Sequence, residues 1–136
     1  MGDHFGHWIK LGRELQASGA QLPKIFTVNW FRTDADGKFV WPGFGENMRV
    51  LQWIIDRIEG RAGGAEHVFG FTPRYDDIQW NGLEFSRDRY EQITAIDAAA
   101  WRKEIDSHSE LFGKLQPHLP VELEQTRSAL AARLST

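Results

Sequence analysis

Apolar residues recur at helical spacing along five stretches of this chain. The spacing predicts a first helix capped by Asp3 and a second over residues 48–60 with Asn47 at its N-cap. Three more helices follow toward the C-terminal end. One is short and capped by Ser86, one is longer and capped by Asp97, and the last is an amphipathic helix that contains Leu123.

One stretch has a β pattern instead. Residues 25–31 are β-branched and aromatic, residues 34–37 carry an Asp-Gly turn signal, and residues 38–41 can return antiparallel. Residues 42–45 read Pro-Gly-Phe-Gly, a composition that disfavours regular structure and places Phe44 on a bent loop. The sequence therefore predicts an α+β fold in which an aromatic-rich β-hairpin and a glycine loop lead into a helix, packed with several C-terminal helices.

The remainder of the chain has weaker signals. Residues 61–66 are predicted to be a flexible connection, residues 68–71 a short strand that ends before Pro73, and residues 75–83 a loop. No composition shift marks an internal boundary, so we expect a single fragment over residues 1–136. Its organising unit is residues 22–60, and its helical part is residues 84–136.

Aromatic side chains are concentrated in the predicted hairpin and loop, and two interpretations of them compete. In the first, they are core residues and Asn47 is only a helix cap. In the second, Phe31, Phe39 and Phe44 enclose a slot for a flat ring, and Asn47 hydrogen-bonds the edge of that ring. Stacking on an aromatic side chain is worth roughly 1–3 kcal/mol per base and is indifferent to which base is held, so an amide would be needed to select one.

Composition narrows the classes of function. The chain has 136 residues, of which 41% are hydrophobic and 26% charged, as in an ordinary globular domain. Its net charge of −3 provides no basic face for a phosphate backbone, so nucleic acid is not an expected partner. There is no cysteine, which fits a reducing cytoplasm, and no run of about 18 apolar residues that would predict a membrane span. His4 and His7 lack a third metal-binding partner, so no metal site is predicted in this segment.

Two long stretches resemble the GTP-dependent phosphoenolpyruvate carboxykinases. They are Pro-Lys-Ile-Phe-Thr-Val-Asn-Trp-Phe-Arg at 23–32 and Trp-Pro-Gly-Phe-Gly-Glu-Asn at 41–47. The similarity continues through 49–51 and 57–60, is recognisable upstream at 2–8, and becomes loose after about residue 70. Met48 stands where the family has serine, and Gln52 where it has glutamate, which affects only the rim and the helix surface.

The resemblance implies that Phe31, Phe39 and Phe44 enclose guanine and that Asn47 hydrogen-bonds its edge, with Trp30 and Pro42 bracing the slot. It implies a parent enzyme of gluconeogenesis that converts oxaloacetate and GTP to phosphoenolpyruvate, GDP and carbon dioxide with manganese and magnesium. The family's enzymes are several times longer, so we expect this chain to be a C-terminal fragment of a larger α/β kinase-like enzyme. No catalytic residue and no Gly-Lys-Ser or Gly-Lys-Thr phosphate loop is recognised here, and the metal ligands are expected outside this chain.

Three expectations follow for the fragment itself. Its partners are a guanine nucleotide and the missing remainder of the enzyme, and alone it should be inactive. Self-association is expected through surfaces that the remainder would cover. The alternative is a freestanding binding module whose exposed aromatic side chains stack on a sugar ring or a peptide.

Overall fold

The computed structural model describes residues 1–135 and combines five α-helices with one small antiparallel sheet in that range. This mixture belongs to the α+β class that the sequence predicts. The helices are α1 (Gly2–Ala17), α2 (Asn47–Ile58), α3 (Arg87–Thr94), α4 (Ala98–Leu115) and α5 (Val121–Arg133). The strands are β1 (Ala65–His67) and β2 (Gly70–Thr72), and short 3-10 helices span Phe44–Glu46 and Tyr75–Asp77.

The chain divides into two compact units that do not follow sequence order. One unit combines Met1–Pro23 with the chain from Ile96 onward, and the other is Lys24–Ala95. No linear composition signal marks these limits, because the first unit is built from both ends of the chain. Whether the whole chain behaves as the single fragment expected from the sequence stays a prediction.

The first unit consists of α1, α4 and α5. Ile105 of α4 and Leu134, just after α5, are its most buried apolar side chains, and Arg102 donates to the carbonyl oxygen of Leu134. The prediction that Asp3 caps α1 is wrong. Met1 occupies the N-cap, and the Asp3 carboxylate lies 2.9 Å from Nδ1 of His118 instead.

The second unit has an aromatic core. Its buried members are Val40, Trp41, Trp53, Ile78, Phe85 and Tyr90. Tyr90 lies on α3, whose N-cap Ser86 accepts a hydrogen bond from the backbone N–H of Arg89 at 3.2 Å, as predicted. The core therefore joins α2 and α3 to the segment that carries the predicted site.

The predicted hairpin forms only near its turn. The N–H of Val40 donates to the carbonyl of Arg32 at 2.9 Å, and a single antiparallel bridge joins Thr33 to Phe39. Within the described residues, 25–31 form no strand, contrary to the prediction. The side chain of Asn29 accepts from the N–H of Phe31 at 3.0 Å, a local bond that competes with sheet pairing.

Two further boundaries differ from the prediction. The strand expected at 68–71 begins at Gly70 and pairs with β1, which lies partly in the stretch expected to be a flexible connection. The glycine loop is not wholly irregular either, because Phe44–Glu46 form a turn of 3-10 helix that leads directly into α2. Its N-cap, Gly43, has φ 127°, a conformation that favours glycine.

Candidate functional site

The stretch 39–47 contains both buried and exposed side chains. Val40 and Trp41 are buried in the core of the second unit, whereas Phe39 and Phe44 are exposed to 60% and 92%. An exposed phenylalanine contributes little to the stability of the fold, because the stabilisation comes from burial of apolar surface. Apolar rings are thus presented on the surface from a backbone anchored by its buried neighbours.

Phe31 and Phe39 are brought together by the bridge next to the turn. Their ring centroids lie 5.8 Å apart with 62° between the planes, and Phe31 is 71% exposed. Phe44 makes no ring contact with either in the part of the chain that the structure describes. Two of the three predicted rings therefore form a pair, and the third projects from the 3-10 turn that precedes Asn47.

Asn47 does not cap α2. Its backbone is already helical, with φ −60° and ψ −31°, and the N-cap is Glu46. The side-chain oxygen Oδ1 instead accepts a hydrogen bond from the indole nitrogen Nε1 of Trp41 at 2.8 Å. The prediction that Asn47 caps α2 is therefore wrong. The interpretation of Asn47 as only a helix cap does not hold.

The start of α2 is fixed by Arg49. Its Nε lies 2.5 Å from the Glu46 carboxylate, and its guanidinium also donates to the carbonyl oxygens of Gln79 and Asn81. A planar guanidinium can make several hydrogen bonds in one fixed orientation. Arg49 thus ties the helix start to the 79–81 loop, a role that its position in the sequence did not reveal.

Two more arginines hold the backbone beside the rings. Arg32 donates to the carbonyls of Ile93 and Ala95 at 3.2 and 2.7 Å, and Arg89 donates to the carbonyl of Val40 at 2.9 Å. These bonds attach the segments next to Phe31 and Phe39 to α3 and its C-terminal end. The exposed rings consequently project from an anchored backbone.

The two weaker candidates have different surroundings. Trp30 is half-buried, and its ring packs on Trp41 with centroids 5.6 Å apart. Pro42 is exposed and precedes Gly43. Trp30 is therefore in contact with the residue that binds Asn47, whereas a bracing role for Pro42 stays a prediction.

Neither a metal centre nor a membrane span is found within residues 1–135. No three His, Asp or Glu side chains in this range are grouped so that they could hold a metal ion. None of the helices described is long and apolar enough to cross a membrane.

A shallow depression of about 520 Å³ lies on α4, in the first unit. It is lined by Ala100, Trp101, Glu104 and His108. Nε2 of His108 lies 3.7 Å from the Glu104 carboxylate, one turn away on the same helix. None of the predicted site residues lines this depression.

Comparison with known proteins gives a consistent result. The profile described as "Phosphoenolpyruvate carboxykinase C-terminal P-loop domain" matches residues 1–133. A protein of Treponema pallidum (strain Nichols) named phosphoenolpyruvate carboxykinase [GTP] is 43% identical over 136 residues. The match covers 99% of this chain and 22% of the relative.

Two other relatives carry the same name. One, from Corynebacterium jeikeium (strain K411), is 43% identical over 122 residues, which is 90% of this chain and 20% of the relative. The other, from Anaeromyxobacter dehalogenans (strain 2CP-1 / ATCC BAA-258), is 43% identical over 133 residues, which is 98% of this chain and 22% of the relative. The chain thus spans about a fifth of the length of the curated relatives it matches.

Proposed function

The chain belongs to the phosphoenolpyruvate carboxykinase C-terminal P-loop domain family, and from that premise we propose that it supplies the guanine side of the nucleotide site in a GTP-dependent carboxykinase. Phe31, Phe39 and Phe44 provide the stacking surface, and Asn47 hydrogen-bonds the base edge. Trp30 and Pro42 brace this group. No catalytic residue is assigned within this segment.

One observation carries the proposal. Phe31, Phe39 and Phe44 remain 71%, 60% and 92% exposed, although the neighbouring Val40 and Trp41 are almost fully buried. Exposed aromatic rings on an anchored backbone are suited to stacking on a flat ligand. Asn47 follows directly after the 3-10 turn that carries Phe44, and its amide oxygen accepts a hydrogen bond from Trp41.

The chemistry of Asn47 favours guanine. A side-chain amide offers two N–H donors and one oxygen that can accept two hydrogen bonds. Guanine presents an acceptor at O6 next to a donor at N1, so Nδ2 can donate to O6 while Oδ1 accepts from N1.

For the parent enzyme we propose the family reaction, in which oxaloacetate and GTP give phosphoenolpyruvate, GDP and carbon dioxide. The phosphates, oxaloacetate and the manganese and magnesium ions are assigned to the remainder of the enzyme, as the family resemblance implies. No step of the reaction is therefore derived from this segment. A freestanding sugar-binding or peptide-binding module finds no support in the comparisons.

The proposal is tested by nucleotide binding in a full-length carboxykinase that carries this segment. GDP should bind more tightly than ADP by calorimetry, and Phe44→Ala should weaken both by a similar amount, about 1–3 kcal/mol. Phe71→Ala is the matched control. Phe71 is also an exposed phenylalanine, at 54%, but it lies on β2 outside the proposed site.

Three results would contradict the proposal. The first is equal affinity for GDP and ADP in the unsubstituted protein. The second is an unchanged affinity for both nucleotides in the Phe44→Ala protein. The third is weakening by Phe71→Ala as large as that by Phe44→Ala, which would place the base elsewhere in the second unit.

A further inference from the structure

The hydrogen bond between Trp41 and Asn47 links a core residue to a half-buried side chain that we propose binds the base. Trp41 is only 5% exposed, and its ring packs on Trp30 and Phe85 at centroid distances of 5.6 and 5.8 Å. Those contacts fix the direction of its indole N–H. That N–H donates a hydrogen bond to Oδ1 of Asn47, with 2.8 Å between the nitrogen and the oxygen.

The identity of the acceptor atom follows from chemistry. An indole nitrogen can only donate a hydrogen bond, so the atom of Asn47 that faces Trp41 has to be the oxygen. Rotation of the amide by 180° would exchange Oδ1 for Nδ2 and set two donors against each other. Trp41 therefore holds the amide of Asn47 in one of its two orientations.

The orientation of the amide matters because guanine and adenine present opposite patterns of hydrogen-bond donors and acceptors. Guanine has an acceptor at O6, and adenine has a donor at N6 in the same place. An asparagine amide free to rotate could pair with either base by exchanging its oxygen and nitrogen. With the oxygen held by Trp41, Nδ2 remains to face the base, which suits O6 of guanine and opposes N6 of adenine.

We propose that Trp41 is a positioning residue that sets the preference for guanine over adenine by fixing the amide orientation of Asn47. This inference rests on the proposed function, since it requires that Asn47 hydrogen-bond the base. The preference is then determined by a side chain that contacts no nucleotide. It depends on the core of the second unit, which holds the indole in place.

The test compares Kd for ADP with Kd for GDP in a full-length carboxykinase that carries this segment. Trp41→Phe removes the donor, and the ADP/GDP ratio should fall by about two- to tenfold, the worth of one net hydrogen bond. Trp53→Phe is the matched control. Trp53 is 4% exposed and also donates from its indole, to the carbonyl of Gly63 at 3.1 Å, but it does not bind Asn47.

A double-mutant cycle shows whether Trp41 acts through Asn47. Asn47→Ala alone should lower the ratio, and Trp41→Phe added to Asn47→Ala should lower it no further. Loss of core packing also has to be separated from loss of the donor. Site-specific replacement of Trp41 by 3-benzothienylalanine keeps the two-ring shape, exchanges the N–H for sulfur, and should lower the ratio as Trp41→Phe does.

The outcomes separate this inference from the proposed function. If Asn47→Ala lowers the ratio but the benzothienyl side chain at position 41 leaves it unchanged, the role of Trp41 is refuted and the guanine site stands. An equal fall in the ratio for Trp53→Phe would also refute it, since the effect would then be one of core stability. If Asn47→Ala leaves the ratio unchanged, the role of Asn47 fails and this inference fails with it.

Discussion

At the scale of single residues, Asn47 makes a structural hydrogen bond to Trp41 in addition to the base-binding role that we propose for it, and the sequence alone presents a structural and a binding role as alternatives. Its Oδ1 satisfies the indole N–H of the buried Trp41, and a buried donor without a partner costs about 1–3 kcal/mol. The same oxygen has a second lone pair, and Nδ2 adds two donors. In the proposed site, Oδ1 therefore serves both the fold and the base, whereas Nδ2 serves the base alone.

Substitutions at Asn47 should separate the two roles. Asn47→Asp keeps an oxygen for Trp41 and places a negative charge at the start of α2, so the free energy of unfolding should change by less than about 1 kcal/mol. Asn47→Ala leaves the indole N–H unpaired and should lower the free energy of unfolding by about 1–3 kcal/mol. Both should weaken GDP binding, because neither offers a donor to O6. Urea denaturation and calorimetry on the same samples measure the two effects.

The opposite pattern at this position is also informative. If Asn47→Asp keeps full GDP affinity and preference over ADP, the base is selected by another group. If Asn47→Ala is as stable as the parent, the bond to Trp41 contributes nothing to the fold.

Tyr90 gives a prediction for alkaline pH. Burial, with a smaller contribution from the Asp77 carboxylate, raises the pKa of Tyr90 to about 12. The folded state therefore keeps a proton that the unfolded state loses near its ordinary value of 10.0. The stability contributed by the neutral phenol is complete below pH 10 and should be lost progressively as the pH rises toward 12.

The measurement compares the parent with Tyr90→Phe by urea denaturation between pH 8 and pH 12. The difference in unfolding free energy isolates Tyr90, because other groups titrate in both proteins. At pH 8 the parent should be more stable by about 1 kcal/mol, since its hydroxyl donates to the carbonyl of Pro73. A difference that stays constant up to pH 12 would show that the phenol ionises equally in both states.

At the scale of elements, the sequence predicts helix caps better than it predicts strands. The caps at Ser86 and Asp97 were predicted correctly, because a cap joins a side chain to backbone groups two or three residues away. The strand at 25–31 was predicted wrongly, because a strand requires a partner that its own sequence does not specify. Asn47 was misplaced by one position at a helix start, where caps and first residues look alike.

The candidate site follows the same division. The resemblance assigned the three phenylalanines and Asn47, and whether they bind guanine stays a prediction. The contact between Trp41 and Asn47 could not be predicted, because it depends on a positive φ at Gly43 and a 3-10 turn between the two residues. A tryptophan and an asparagine six positions apart carry no recognisable signal by themselves.

The cap of α4 provides a test at this scale. Asp97 accepts from the N–H groups of Ala99 and Ala100 at 2.9 and 3.0 Å. Asp97→Ala should lower the free energy of unfolding by about 1 kcal/mol, while Asp97→Asn, which keeps an acceptor oxygen, should lower it by less than half as much. Thermal and urea denaturation measure both variants. Equal losses for the two would mean that charge, rather than capping, stabilises this end of the helix.

At the scale of the whole molecule, α2 is apolar on two sides. Val50, Trp53 and Ile54 face the core of the second unit. Met48, Leu51, Ile55 and Ile58 recur at helical spacing along another face and are 61%, 40%, 43% and 47% exposed. An exposed apolar face of this kind favours association with another apolar surface.

Folding and catalysis should be separable in the 136-residue chain. Its aromatic core and helices should give cooperative unfolding in urea, followed by tryptophan fluorescence. It should form no phosphoenolpyruvate from oxaloacetate and GTP, because the phosphate and metal sites are assigned elsewhere. A full-length carboxykinase in the same assay is the positive control, and turnover by the pure fragment would refute the assignment.

The exposed face of α2 should make the isolated chain self-associate. Contiguous apolar patches beyond a few hundred Å² tend to find partners. The exposed phenylalanines Phe31, Phe39 and Phe44 belong to the same unit as this face. Ile55→Lys should shift the chain toward monomer in sedimentation velocity and lower its binding of an apolar dye. Its free energy of unfolding should change by less than about 0.5 kcal/mol, because the side chain is already exposed.

Gln52→Lys is the control, because it adds the same charge at an exposed polar position of α2 and should leave association unchanged. If the unsubstituted chain is a monomer at high concentration, or if both lysine variants dissociate it equally, the apolar face is not the cause.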